Sequence, residues 1–134
     1  MDESQQVFAS RASLLALRNR RFGGLKLPVS GQWVRFRSLT DEELSAYDSA
    51  LFARNQETGA VETIPEREND SRARLIVLTV CDNDGEPLFT DKDVELVAQF
   101  DPADILPLAE AIREHCGITA AIERRKQRES LKKN

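Results

Sequence analysis

Four short clusters in this chain carry residue types that do chemistry. Asp82-Asn83-Asp84-Gly85 resembles part of a calcium loop. Such a loop places glycine sixth and acids first, third and fifth, with a bidentate glutamate at the twelfth position. Asp82 and Asp84 fit the third and fifth places, but Val80 stands at the first and Asp91 at the twelfth. A polar turn with Gly85 at positive φ is the favoured reading. His115-Cys116 sets the only histidine beside one of two cysteines. A zinc site needs about four such ligands, and neighbouring helical residues point in different directions. A core cysteine beside a surface histidine near a helix C-terminus fits better. Gly23-Gly24 lacks the Lys-Ser/Thr that completes a phosphate-binding loop. Arg124-Arg125-Lys126-Gln127-Arg128 has the charge to meet nucleic acid, but no interleaved aromatics. It reads as a solvated helix end or a protein-docking tail. No catalytic, cofactor-binding or metal-ligating residue is assigned, and no cofactor is expected. An enzyme of this size usually shows at least one convincing motif, so the expectation is a non-enzymatic binding protein.

Bulk properties narrow the class. The 134 residues fit one domain, and 40% hydrophobic content is enough to fold. The apolar runs are short, as at Leu75 to Leu78, so no transmembrane segment and no membrane partner is expected. The start Met-Asp-Glu-Ser lacks the basic then apolar pattern of a signal peptide. Two distant cysteines read as reduced thiols, consistent with a cytoplasmic protein. The net charge of −4 is unevenly spread. Residues 1–40 carry +5, residues 41–123 carry −14 and residues 124–134 carry +5. Basic ends around an acidic middle could bind nucleic acid, pair with each other or drive self-association. Folding back on the middle, or plain solvation, is favoured over DNA binding.

The elements that position these residues follow from local signals. Residues 1–24 read as a flexible basic segment, with Leu14, Leu15 and Leu17 among arginines in a short helix or a tail that orders on a partner. Leu25 to Val29 and Gln32 to Arg37 alternate around Ser30-Gly31, which predicts a β-hairpin with its first strand at an edge because of Pro28. Thr40 and Glu43 form a capping box for a helix over about 41–56, stopped by Thr58-Gly59. Residues 57–70 read as a polar loop. The run 72–80 fits a strand or a helical stripe. Thr90 with Asp93 caps a helix over 91–100. Asp101-Pro102 opens another over 102–116, which Pro107 should kink or restart and Gly117 should end. The expected core is Trp33, Phe36, Leu44, Tyr47, Leu51, Leu75, Leu78, Phe89, Val97, Ile105 and Ile112, with Phe89 as a buried anchor. The expected globular domain spans 25–118, followed by a basic helix or tail over 119–134.

With those residues in view, the chain resembles the tail assembly chaperones of long-tailed bacteriophages and prophages. A basic N-terminus leads to a Trp-bearing hairpin, Gln32-Trp33-Val34-Arg35-Phe36-Arg37. An apolar segment, Ala73 to Val80, then precedes Cys81-Asp82-Asn83-Asp84-Gly85-Glu86-Pro87-Leu88-Phe89 and a helix. The likeness spans roughly residues 25–120 and closes at His115-Cys116-Gly117-Ile118. It tips 72–80 towards helix. The implied fold is α+β: a mostly α-helical small domain with one short N-terminal β-hairpin. The implied role is non-enzymatic: coating the tape-measure protein, recruiting tail-tube protein and leaving before the virion is finished. Leu14, Leu17, Ile118, Ile122 and Leu131 are the expected partner contacts. Many family members also exist in a longer, frameshifted form. Lys132-Lys133-Asn134 can be encoded by a slippery adenosine run, although an ordinary solvated end is the simpler reading. The alternative function is a small DNA-associated regulator that uses its basic ends.

Overall fold

The computed structural model describes residues 6–54, 56–63 and 70–118. Among the described residues, five helices and two small antiparallel sheets make an α+β fold. Residues Arg11–Leu15 form α1, a single turn that continues as a 3-10 turn over Ala16–Arg18. Strands β1 (Phe22–Lys26) and β2 (Trp33–Arg37) then make the hairpin, pairing Gly23 with Phe36 and Lys26 with Trp33. The first strand starts earlier than expected. Gly23-Gly24 lies inside β1 rather than ending a helix, and Pro28 sits in the turn. Close packing explains the glycine: a Cβ at Gly23 would stand 2.7 Å from the Phe36 ring. β1 is an edge strand, as the sequence predicts.

Helix α2 (Asp41–Leu51) begins with the anticipated capping box. The Thr40 N–H donates to Glu43 Oε1 at 2.9 Å, and the Glu43 N–H donates to Thr40 Oγ1 at 3.1 Å. Asp41, Glu42 and Glu43 place negative charge at the positive end of the helix dipole. The helix stops at Leu51, before the expected 56. Residues Phe52–Arg54 (β3) pair instead with Val61–Thr63 (β4). Gly59, at φ 73°, serves as a hairpin turn residue instead of a helix stop. The polar stretch after it is therefore partly strand.

Helix α3 (Ser71–Thr79) resolves the ambiguous run. It buries Ala73, Leu75, Ile76, Val77 and Thr79, so it is enclosed nearly all round and shows no clean amphipathic period. Thr79 keeps its hydroxyl satisfied by donating to the Leu75 carbonyl at 2.7 Å. The chain then extends for two residues, Val80–Cys81 (β5), which pair with Phe36 and Arg35 of β2. The sheet order is β1-β2-β5.

The expected helix over 91–100 is shorter: a 3-10 turn at Asp91–Asp93 and then α4 (Val94–Val97). The Thr90 N–H still donates to Asp93 Oδ2 at 2.8 Å. Helix α5 (Pro102–Cys116) has the expected bounds. Asp101 Oδ1 accepts the Ala103 N–H at 2.9 Å, and Gly117, at φ 71°, closes the C-terminus. The Ile118 N–H donates to the Arg113 carbonyl at 2.9 Å, the long bond of a Schellman motif. Pro107 neither breaks nor restarts the helix. It removes one donor near the start, and the buried Leu108, Ala109 and Ile112 hold the rest against α3.

Phe36, Tyr47, Leu51, Leu75, Val97 and Ile112 are buried as expected. Leu44, Leu78, Phe89 and Ile105 are half-buried against that core, so Phe89 is not the fully enclosed anchor anticipated. Trp33 is a clear correction: it is 75% exposed.

Candidate functional site

Trp33 stands on the rim of a groove with a volume of about 510 Å³. Three segments supply most of the lining, beside Ile76 of α3 and the hairpin-tip residues Leu27 and Ser30. β2 supplies Trp33 and Arg35, the stretch after β5 supplies Leu88 and Phe89, and the start of α5 supplies Ile105 and Leu108. Large apolar side chains stay open to solvent on this rim: Leu88 is 56% exposed and Phe100 41%. Phe89 and Phe100 meet edge to face with ring centroids 6.2 Å apart. This stiffens one wall.

Polar contacts fix the geometry. Asp104, buried at the first turn of α5, accepts the Val29 N–H at 2.8 Å on one carboxylate oxygen and the Ser30 N–H at 3.1 Å on the other. This clamps the hairpin tip to the helix. The Arg35 guanidinium lies 4.1 Å from the centroid of the Phe22 ring and donates through Nη1 to the Asn83 carbonyl. The Asp82 turn is thereby tied to β2. Asp82 Oδ1 accepts the Asp84 and Glu86 N–H groups at 2.8 and 3.0 Å, and Gly85 takes φ 84°. The carboxylate is thus engaged in the turn itself.

The other candidate chemistry is also taken up by packing. The His115 ring meets Phe36 edge to face at 5.3 Å, and its Nε2 lies 3.2 Å from the Arg21 carbonyl oxygen. Burial pushes the Cys81 thiol up, against the opposing pull of Arg35 and Arg37. Burial likewise pushes Cys116 up, against the Leu39 backbone and Arg21. Neither thiol is activated as a thiolate nucleophile. Among the described residues no three of His, Cys, Asp and Glu gather to hold a metal ion. No helix among them is long and apolar enough to cross a membrane.

A compact polar knot forms beyond the other end of β2. Glu43 accepts from Arg20 Nη1 at 2.6 Å, and Arg37 Nη2 lies 3.8 Å from its second oxygen. Burial by itself would raise the Glu43 pKa. The Arg20 hydrogen bond, the Thr40 amide and the charges of Arg20 and Arg37 outweigh it and hold the carboxyl below its ordinary value.

No family model and no curated protein matches this chain. One solved structure that does is the bacteriophage HK97 tail assembly chaperone, at 17% identity and TM-score 0.48, over 77% of this chain and 98% of that one.

Of the sequence-derived contact residues, Leu14 and Leu17 line one cleft and Ile118 packs, half-buried, against the core. Leu14 and Leu17 are exposed, at 54% and 79%, and this shallower cleft also involves Leu39 and Asp41. Ile122 and Leu131 lie outside the described residues, as do the whole 119–134 tail and its Lys132-Lys133-Asn134 end. The groove is hard to see in the sequence because Trp33 has the composition of a core residue. One signal was available: Trp33 and Phe36 are three apart on a strand, so they face opposite sides of the sheet.

Proposed function

We propose that this protein is a non-enzymatic tail assembly chaperone of a phage or prophage. In this reading it binds the tape-measure protein in the host cytoplasm, keeps it soluble, and helps recruit tail-tube protein. The observation that carries the reading is the apolar rim of Trp33, Leu88 and Phe100, held open to solvent around a preformed groove. Exposed apolar clusters of this kind mark protein-binding surfaces. The resemblance of residues 25–120 to the chaperone family supplies the identity of the partner. The unactivated thiols and the engaged Asp82 turn fit a protein without catalysis.

Binding to DNA has less support. Arg20 and Arg37, two of the basic residues of 1–40, are ion-paired with Glu43 within the fold.

Co-expression tests the proposal. A phage tape-measure protein co-expressed with the chain should move from the insoluble to the soluble fraction. Equal solubility with and without it overturns the reading.

A further inference from the structure

We propose that the groove takes an amphipathic helix whose apolar stripe is bordered by lysines and arginines. This rests on the protein-binding reading of the groove and specifies the chemistry of its occupant.

Charge is the first argument. The stretch 82–104 supplies one whole wall and part of the other. It contains eight acids and a single base, Lys92. Of these acids, Asp104 is buried and spent on the Val29 and Ser30 amides. Asp84, Glu86, Asp91, Glu95 and Asp101 are exposed. On the opposite wall Arg35 is already engaged with Phe22 and Asn83. Those partners are neutral, so Arg35 keeps its charge, but Asp101 and Asp104 on the lining and the exposed acids around it outnumber that cation. The apolar opening therefore sits in a net negative field, and such a field attracts basic partners and repels acidic ones.

The second argument concerns backbone. β2 is paired along its length by β1, and by β5 at Arg35 and Phe36. Beside the groove, Trp33 and Val34 lack a β5 partner, but two residues are too short a stretch to carry an added strand. The rim instead offers side chains from three separate segments. A partner that fills such a groove must project apolar side chains on one face while satisfying its own backbone, which a helix does with residues at i, i+3, i+4 and i+7.

The occupant is distinguishable from its alternatives with a labelled synthetic helix carrying leucine and phenylalanine at that spacing and lysine on both borders of the stripe. Fluorescence anisotropy should show saturable binding to the full chain. Trp33→Ala should weaken it about tenfold or more, because an exposed rim tryptophan is the strongest single anchor available. Asp101→Asn keeps a competent helix cap and removes a charge, so it should weaken binding about threefold. The same peptide with glutamate borders should bind at least about tenfold more weakly, and raising salt from about 50 to about 300 mM should weaken the lysine peptide several-fold. Equal binding of the glutamate peptide overturns the charge assignment. Equal binding of a peptide with a central proline overturns the helix. An unchanged affinity for a folded Trp33→Ala variant overturns the groove as the site. The tape-measure reading is judged separately: peptide binding without solubilisation of that protein sinks only the identity of the partner, and solubilisation without peptide binding sinks only this inference.

Discussion

The two aromatic residues of β2 divide the strand into a closed end and an open end. Phe36 is 3% exposed, with Gly23 across the hairpin and the His115 ring edge-on. Arg37, the next residue, reaches into the knot around Glu43. Trp33 begins the same strand on the opposite face and projects over the groove. The closed end has what an aromatic ring needs to be buried: a glycine to admit it and a helix to cover it. The open end has a clamp at the hairpin tip, but nothing of this chain's described residues lies over the tryptophan. Burial is concentrated at one end and exposed apolar surface at the other.

Substitutions should break that division unequally. Phe36→Ala removes a ring from a sealed site and leaves a cavity beside Gly23, so it should cost about 3–5 kcal/mol in urea or thermal unfolding. Acid should act on the neighbouring knot more gently. The Glu43 carboxyl is held below its ordinary value, so its contribution is complete above the unfolded-state pKa and is lost as pH falls through the folded one. Unfolding followed as pH falls below about 5 should show a loss of stability that a Glu43→Gln variant lacks. Trp33→Ala should change stability by no more than about 0.5 kcal/mol, although the residue is large. A loss near that of Phe36→Ala would show that the open end is part of the core after all.

Much of the closed end was legible in the sequence because its signals are local. Thr40 and Glu43 announce their helix by a spacing of three. Asp101-Pro102 and Gly117 bracket α5 at both ends. Each signal works through hydrogen bonds within one turn, so distant residues do not alter it. The misreadings lie where distant contacts decide. Phe52 to Arg54 leave the helix because a partner strand exists at Val61–Thr63. Val80 and Cys81 are strand only because β2 lies alongside. Trp33 has the composition of a core residue, and only the arrangement of three separate segments leaves it at the surface. The groove was hardest to read for that reason: no single segment contains it.

The Asp104 clamp also sets an order in time. It joins the helix to amides 75 and 74 residues earlier in the chain. At a synthesis rate of about 5–20 residues per second, Val29 and Ser30 precede their carboxylate by about 4–15 s. A nascent hairpin can close on its own, but its tip is fastened only when the first turn of α5 exists. The two walls of the groove are thus brought together late in synthesis, and a chain still being made presents Trp33 without the pocket it borders.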